Sequence, residues 1–381
     1  MAPLPSGTPR PAVLSVSALV LVAAALVTST GCGSCSGSPD LVLRPVPPGP
    51  AAPPFAVALR VPHLADFGDD TSQQAAVARA LAAETRARPS DLLLHAGDNV
   101  YECGPDATLP GASACAFADD DNTVPAGTAM PDDPRFRRMF EGALEPVRRD
   151  GKPLPTWLVL GNHDMAAWGA CSGGLDPPVL SRTRACLEVA HRAPQWSMPG
   201  RHWVLDQGPV RFIAIDSNLL KQDYGGFGFE GEEAFVRAAA SPCGERLCFL
   251  VAHHPAASAG EHWKDGTPEY LSRVKRIEEA AGGQLAGWLS GHEHQLEHLR
   301  TVAGYDVLIS GNGSRARPQE RFDHLSAPGA RLLFASTSWG FGVLEVGEGR
   351  WSYRFVNARG EPIHCCAAAG RGPCEPVACA P

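Results

Sequence analysis

Five short polar segments recur down the chain: Ala65-Asp66-Phe67-Gly68, Gly97-Asp98-Asn99-Val100-Tyr101, Gly161-Asn162-His163-Asp164, His253-His254-Pro255 and Gly291-His292-Glu293-His294. Each follows a short apolar run, where a strand would end and a loop begin. Together they offer enough oxygen and nitrogen donors for two metal ions. A two-metal centre implies in-line displacement at phosphorus, with the ions supplying the attacking hydroxide and clamping the reacting oxygens. It also demands a fold that brings the segments to one place.

The intervening pattern supplies such a fold. Residues 55–64 read as a first strand, with Pro62 marking an edge position or a bulge. A helix is expected over 73–87, with Ala75, Val77, Ala80 and Leu81 on its apolar side and Thr71 or Ser72 as cap. Strands are expected at 91–95 and 156–160, separated by a loop over 103–134 and a helix over 135–147. Further strands at 210–216, 247–252 and 285–289 alternate with helices at 232–240 and 268–281. Open α/β sheets gather function at the carboxyl ends of their strands, so the segments are expected to meet. Beyond residue 305 the chain turns strand-rich, at 307–309, 331–334, 342–346 and 351–356, which is expected to form a second sheet packed on the first. The fold class is therefore α/β, a four-layer α/β/β/α sandwich of two mixed sheets flanked by helices.

The chain has 381 residues and a formal charge of -8. No basic tract or aromatic-basic stripe is present, which argues against nucleic acid as a partner. Residues 1–31 read as an export signal: Arg10, an apolar segment over 12–27, then Ser29-Thr30-Gly31-Cys32. The apolar part falls short of the roughly 20 residues of a spanning helix. The box resembles that of bacterial lipoproteins, with Cys32 lipidated as the membrane contact, although Ser29 replaces the usual leucine and Cys35 is an alternative. The expected location is periplasmic or cell-surface. Residues 32–54 read as a Pro/Gly/Ser-rich tether, 55–360 as the catalytic domain and 361–381 as a Cys-rich tail. The ten remaining cysteines are expected as disulfides. Sequence leaves their connectivity open; local staples between close neighbours are the expectation, Cys103 with Cys115, Cys171 with Cys186 and Cys243 with Cys248. A zinc cluster among Cys365, Cys366, Cys374 and Cys379 lacks the Cys-x-x-Cys spacing.

Chemically, Asp66 and Asp98 are hard oxygen donors, and a carboxylate has two oxygens with which to bridge two ions. Asn162 offers an amide oxygen, and Asp164 is expected to orient the His163 ring. His253, His292 and His294 offer imidazole nitrogens. His294-Gln295-Leu296-Glu297-His298 also matches the H-x-x-E-H zinc-protease pattern, but that pattern needs a helix and leaves Asp66, Asp98 and Asn162 unused. No Gly-x-Ser-x-Gly elbow and no Gly-rich nucleotide loop is present.

On these residues the chain resembles the calcineurin-like metallophosphoesterases, and within them the small mammalian-type (tartrate-resistant) purple acid phosphatases, from about Val61 to Val356. Tyr101, three residues after Asp98, and His262 in Gly260-Glu261-His262 narrow the resemblance to that subgroup. It implies that Asp66, Tyr101 and His294 hold one ion, that Asn162, His253 and His292 hold the other, and that Asp98 bridges them. His163 and His262 are implied to position the phosphate and protonate the leaving group. The implied cofactors are Fe(III) with Fe(II), Zn(II) or Mn(II), and the implied activity is hydrolysis of a small phosphomonoester by a dimetal-bound hydroxide. A phosphodiesterase or nucleotidase would use the same centre; a metal-binding surface lipoprotein without turnover is the reading from another class. Ala65 stands where the resemblance expects glycine, His254 where it expects an aromatic residue, and Pro62 interrupts the first strand. Insertions at 103–134 and 171–192 alter the rim.

Overall fold

Strands that are apolar on both faces set the architecture, because each must be covered twice. The computed structural model describes residues 41–317, 322 and 324–379; the export segment, Cys32 and Cys35 lie outside them. In chain order the strands are β1 (Val42–Leu43), β2 (Leu59–Leu64), β3 (Leu93–His95), β4 (Arg148–Arg149), β5 (Lys152–Pro153), β6 (Thr156–Leu158), β7 (Trp203–Gln207), β8 (Val210–Ala214) and β9 (Leu247–Val251). They continue as β10 (Leu285–Ser290), β11 (Leu296–Arg300), β12 (Asp306–Ser310), β13 (Arg331–Ser336), β14 (Gly340–Gly347), β15 (Arg350–Asn357), β16 (Pro362–Ala369) and β17 (Glu375–Val377). The helices are α1 (Ser72–Ala87), α2 (Gly142–Leu144), α3 (Pro177–Ala190), α4 (Asn218–Lys221), α5 (Phe229–Ala240) and α6 (Pro268–Ala281).

One sheet runs β17-β16-β15-β14-β2-β3-β6 and the other β1-β13-β11-β12-β10-β9-β8-β7. Val61, Leu94, Phe212, Phe249, Phe334 and Trp351 fill the space between them. On the far side of the first sheet, Leu64 and Val343 meet Val77 and Leu81 of α1 and Leu180 of α3. On the far side of the second, Ile213, Leu250 and Trp288 meet Val236 of α5 and Ile277 of α6. Alternation along β8 shows the rule: Phe212 faces the other sheet and Ile213 the helices. The four-layer sandwich of two mixed sheets flanked by helices is thus present. Helix α6 begins at Pro268 behind the Thr267 cap, whose Oγ1 accepts the Tyr270 N–H, and ends at Gly282 with φ 59°.

The structure corrects several expectations. The strands beyond 305 do not form a sheet of their own: β12 and β13 join β10, while β14 and β15 join β2. The parallel cores β2-β3-β6 and β8-β9-β10 each have an open edge, and later strands close both. Pro62 does not mark an edge, since β2 lies between β14 and β3. Arg60 and Leu64 turn their carbonyls toward β3, accepting from Asp91 N and Ala96 N. The N–H that Pro62 lacks falls on that same side, where the β2–β3 register begins only at His63. Within the expected tether, Val42–Leu43 pairs with β13 and Gly49 bridges to Val377. Within the expected tail, β16 and β17 extend the first sheet, and its cysteines pair as Cys365–Cys379 and Cys366–Cys374. The helix expected at 135–147 is a π turn over Phe136–Glu141 followed by α2. Residues 296–300, which the zinc-protease pattern required as helix, form β11.

A polar thread crosses the sandwich. His63 Nδ1 of β2 lies 2.7 Å from Tyr353 Oη of β15, and that hydroxyl lies 3.0 Å from Ser310 Oγ of β12. Tyr353 fits only because position 342 is glycine; a Cβ there would stand 1.6 Å from its Oη. Burial, and then His95, pushes His63 from about 6.5 to about 3. The unfolded chain takes up this proton below pH ~6.5, whereas the folded chain resists until about 3. The contribution is fully present above ~6.5 and is lost as pH falls, by up to about 1.4 kcal/mol per pH unit. His63→Gln is therefore expected to flatten the fall in urea-unfolding free energy between pH 6.5 and 4.5. A slope identical to wild type would contradict the buried neutral ring.

Candidate metal centre

The strand ends carry the donors into place through unusual backbone. Asp66, Asp98 and His292 all have positive φ, 53°, 56° and 68°, a region that non-glycine residues enter at a cost and that clusters at functional sites. Glycines let the loops close on one another: a Cβ at Gly161 would lie 2.2 Å from Asp98 N, and one at Gly291 2.3 Å from Ala65 Cβ.

Every residue expected to hold an ion arrives in one cluster. Tyr101 Oη donates to Asp66 Oδ1 at 2.9 Å and lies 3.1 Å from His294 Nε2; His294 Nε2 is 3.4 Å from Asp66 Oδ1. Beside them, Asn162 Oδ1 lies 2.9 Å from His253 Nε2 and 3.0 Å from His292 Nδ1. Asp98 Oδ1 stands 3.4 Å from His253 Nε2, between the two groups. The tautomers suit coordination. His253 Nδ1 donates to Ala96 O at 2.9 Å and His292 Nε2 donates to Asp265 Oδ2 at 2.8 Å, which leaves His253 Nε2 and His292 Nδ1 as lone-pair donors on the Asn162 side.

The electrostatics are those of a site short of positive charge. Burial pushes the Asp66 carboxyl up to about 7, against the pull of His253. Burial, with Asp66 and Asp98 beside it, pushes the Tyr101 phenol well above its usual value. Burial would raise Asp98 as well, but His253 and His163 hold it below the carboxylate range. Burial holds His292 neutral, and burial with Arg317 nearby lowers His294 to about 4. Buried carboxylates and a phenol crowded together with His292 and His294, both held neutral, fit a pair of cations in donor type and in charge.

His163 and His262 flank this cluster. His163 is half-buried, its ring 4.6 Å from that of Tyr101, and His262 stacks on His292 with centroids 4.2 Å apart. Burial, then Arg317 and His294, lowers His262 to about 4 rather than the 6.5 of a free imidazole. The expected orienting role of Asp164 is not what the structure shows. His163 Nδ1 donates instead to Glu102 O at 2.6 Å. Asp164 accepts from Gly161 N, Asn99 N and Val100 N, pinning two of the donor loops together.

Several supporting residues escaped the sequence reading. Asp265 joins His292 to Lys221, 2.9 Å away. Glu293, fully buried, accepts from Glu261 N and His262 N and so carries the loop that places His262. Arg315 lies 3.9 Å above the Tyr101 ring and pairs with Asp69 and Glu102. Only Glu293 had a signal, its place inside the histidine motif.

Beside Asn162 a cavity of about 360 Å³ opens, lined by Met165, Trp168, Lys221, Tyr224, Asp265 and Tyr270. None of its lining residues comes from the two insertions, whose disulfides correct the local pairing expected. Cys103 bonds Cys171 and Cys115 bonds Cys186, so each bridge ties one insertion to the other; Cys243–Cys248 is local as expected.

A family model described as Calcineurin-like phosphoesterase matches residues 59–296. Tartrate-resistant acid phosphatase type 5 of Rattus norvegicus is 22% identical over 336 residues, covering 81% of this chain and 89% of the relative. The Homo sapiens protein of the same name is 22% identical over 334 residues, covering 80% and 89%. Among solved structures, GAP50, the anchor in the inner membrane complex of Plasmodium, superposes with a TM-score of 0.61 at 17% identity, over 82% of this chain and 89% of that one. Purple acid phosphatase PPD1 from yellow lupin (Lupinus luteus) seeds gives 0.56 at 13% identity, over 84% and 55%. At these identities the structural likeness is one of fold.

Proposed function

The chain belongs to the calcineurin-like phosphoesterase family, and from that premise we propose that it is an exported two-metal phosphatase acting on small phosphomonoesters. The observation that carries the reading is the convergence of Asp66, Asp98, Tyr101, Asn162, His253, His292 and His294 from separate strand ends into one buried cluster. Asp66, Tyr101 and His294 would hold one ion, Asn162, His253 and His292 the other, with Asp98 shared, and the pair is proposed as Fe(III) with Fe(II), Zn(II) or Mn(II). When bound, such ions acidify water and neutralise phosphate charge.

The chain's own residues supply the rest. Asp98 and Asp66 fix the charge of the site, and Asp265 and the Ala96 carbonyl hold the His292 and His253 rings in the ligating tautomer. His163 lies on the cavity side, its ring 6.1 Å from that of Trp168. The alcohol part of the substrate would occupy that cavity, which makes His163 the residue that passes a proton to the leaving oxygen. His262, stacked on His292, positions the phosphate. His163→Ala is then expected to lower kcat/KM by about 10²-fold or more for poor leaving groups and far less for nitrophenol. His262→Ala is expected to lower both alike. A leaving-group slope unchanged in His163→Ala would remove its role as acid.

The overall reading is tested with purified, metal-analysed protein against nitrophenyl phosphate and its bis-ester. Two ions per chain with preferred monoester hydrolysis support it; preference for the bis-ester would make the protein a phosphodiesterase. Two ions with no hydrolysis of a phosphoester panel would leave only a metal-binding role. A visible charge-transfer band from Tyr101 phenolate to iron, which the resemblance implies, would identify Fe(III). Export is supported by the disulfides, which are the chemistry of an oxidising compartment. Lipidation at Cys32 remains part of the proposal, and Cys32→Ser is expected to release the protein from membranes.

A further inference from the structure

His254 follows the ligand position His253 just beyond β9, where the resemblance expects an aromatic residue. Its side chain is 1% exposed. Its Nδ1 lies 3.0 Å from Ser217 Oγ, and the same oxygen accepts the His254 backbone N–H at 2.9 Å. Its Nε2 is buried and has no hydrogen-bond partner. A buried polar atom left so is costly and calls for an occupant. The ring sits 4.4 Å from that of His292 and 5.0 Å from that of His253, centroid to centroid. His253, His254 and His292 each present a ring nitrogen, and these nitrogens all lie within 4.8 Å of one another.

We propose that His254 is an additional ligand of the ion held by His253 and His292, bound through Nε2, with its Nδ1 proton donated to Ser217 Oγ. That hydroxyl does for His254 what the Ala96 carbonyl and Asp265 do for its neighbours: it fixes the tautomer and the ring plane. The ion then has three imidazoles, a set that favours Zn(II) over the oxygen-preferring Mn(II). The inference rests on the two-metal reading of the site and adds a selectivity to it.

The test is direct titration of the apoprotein with Zn(II) or Mn(II), in wild type, His254→Phe and His254→Tyr. Both aromatic replacements fill the volume. Zn(II) binding at the second site is expected to weaken about 10- to 100-fold in the variants, the range lost when even a supporting partner is removed, while Mn(II) binding changes less than about threefold. Unchanged Zn(II) affinity, with two ions still bound and phosphomonoester turnover intact, would overturn the role of His254 and leave the phosphatase reading standing. Fewer than two ions in wild type would overturn both. Wild-type protein labelled with ¹⁵N-histidine and loaded with ¹¹³Cd(II) gives an answer independent of how the variants fold. A one-bond coupling from ¹¹³Cd to His254 Nε2 is expected; a protonated, uncoupled Nε2 would sink the proposal.

Discussion

Asp98→Asn is expected to lower kcat/KM for nitrophenyl phosphate by at least about 10³-fold, near 4 kcal/mol of transition-state stabilisation, and to reduce bound metal from two ions toward one. The substitution isolates charge from fold. Asp98 sits at φ 56°, a conformation that asparagine tolerates better than other side chains, and the amide oxygen can still accept the His163 N–H that Asp98 Oδ1 accepts at 2.9 Å. What disappears is the negative charge between the Tyr101–His294 group and the Asn162–His253–His292 group. Thermal unfolding close to wild type, together with lost metal and lost turnover, is the expected set. Turnover within tenfold of wild type with two ions retained would show that Asp98 does not bridge.

The second large effect concerns stability. Cys115–Cys186 closes a separation of 71 residues and Cys243–Cys248 one of 5. With Cys103–Cys171 already closing most of the longer span, the chain-entropy view has the first constrain the unfolded chain by about 3.5 kcal/mol and the second by about 2 kcal/mol. The paired alanine variants are therefore expected to differ in urea-unfolding free energy by about 1.5 kcal/mol, with Cys115→Ala/Cys186→Ala the weaker protein. The residues are all nearly buried, so the comparison largely cancels the cost of truncating sulfur. Equal losses would place the effect of these bridges in the folded state instead.

How much of this was visible beforehand follows from the range of the interactions. The donors were legible because each sits in a short motif at a strand end, and Tyr101 because it stands three residues from Asp98. Arg315 was not, since its partner Asp69 is 246 residues away. Asp164 was misread because neighbours in sequence seemed the natural pair; its carboxylate turns away from His163 toward N–H groups 64 and 65 residues distant. Strand β16, Pro-Ile-His-Cys-Cys-Ala-Ala-Ala, contains a single β-branched residue and so lacked the usual strand signature. Helix α3 was hidden inside what looked like an insertion, although Pro177 after Asp176 is a start signal. Sheet membership was illegible for a different reason: chain order and spatial order diverge wherever the later strands return to close an edge.

The donors come from both sheets, with β2, β3 and β6 leading to Asp66, Asp98 and Asn162 and β9 and β10 to His253 and His292. Asp66 Oδ2 accepts the His292 N–H across a separation of 226 residues. During synthesis a nascent chain that has reached Ala281 at the end of α6 owns Asp66, Asp98, Tyr101, Asn162 and His253 but neither His292 nor His294. No length short of His294 offers the whole donor set. On the proposed reading, a chain threaded unfolded through a membrane would therefore acquire its metals at the destination, from whatever that compartment provides.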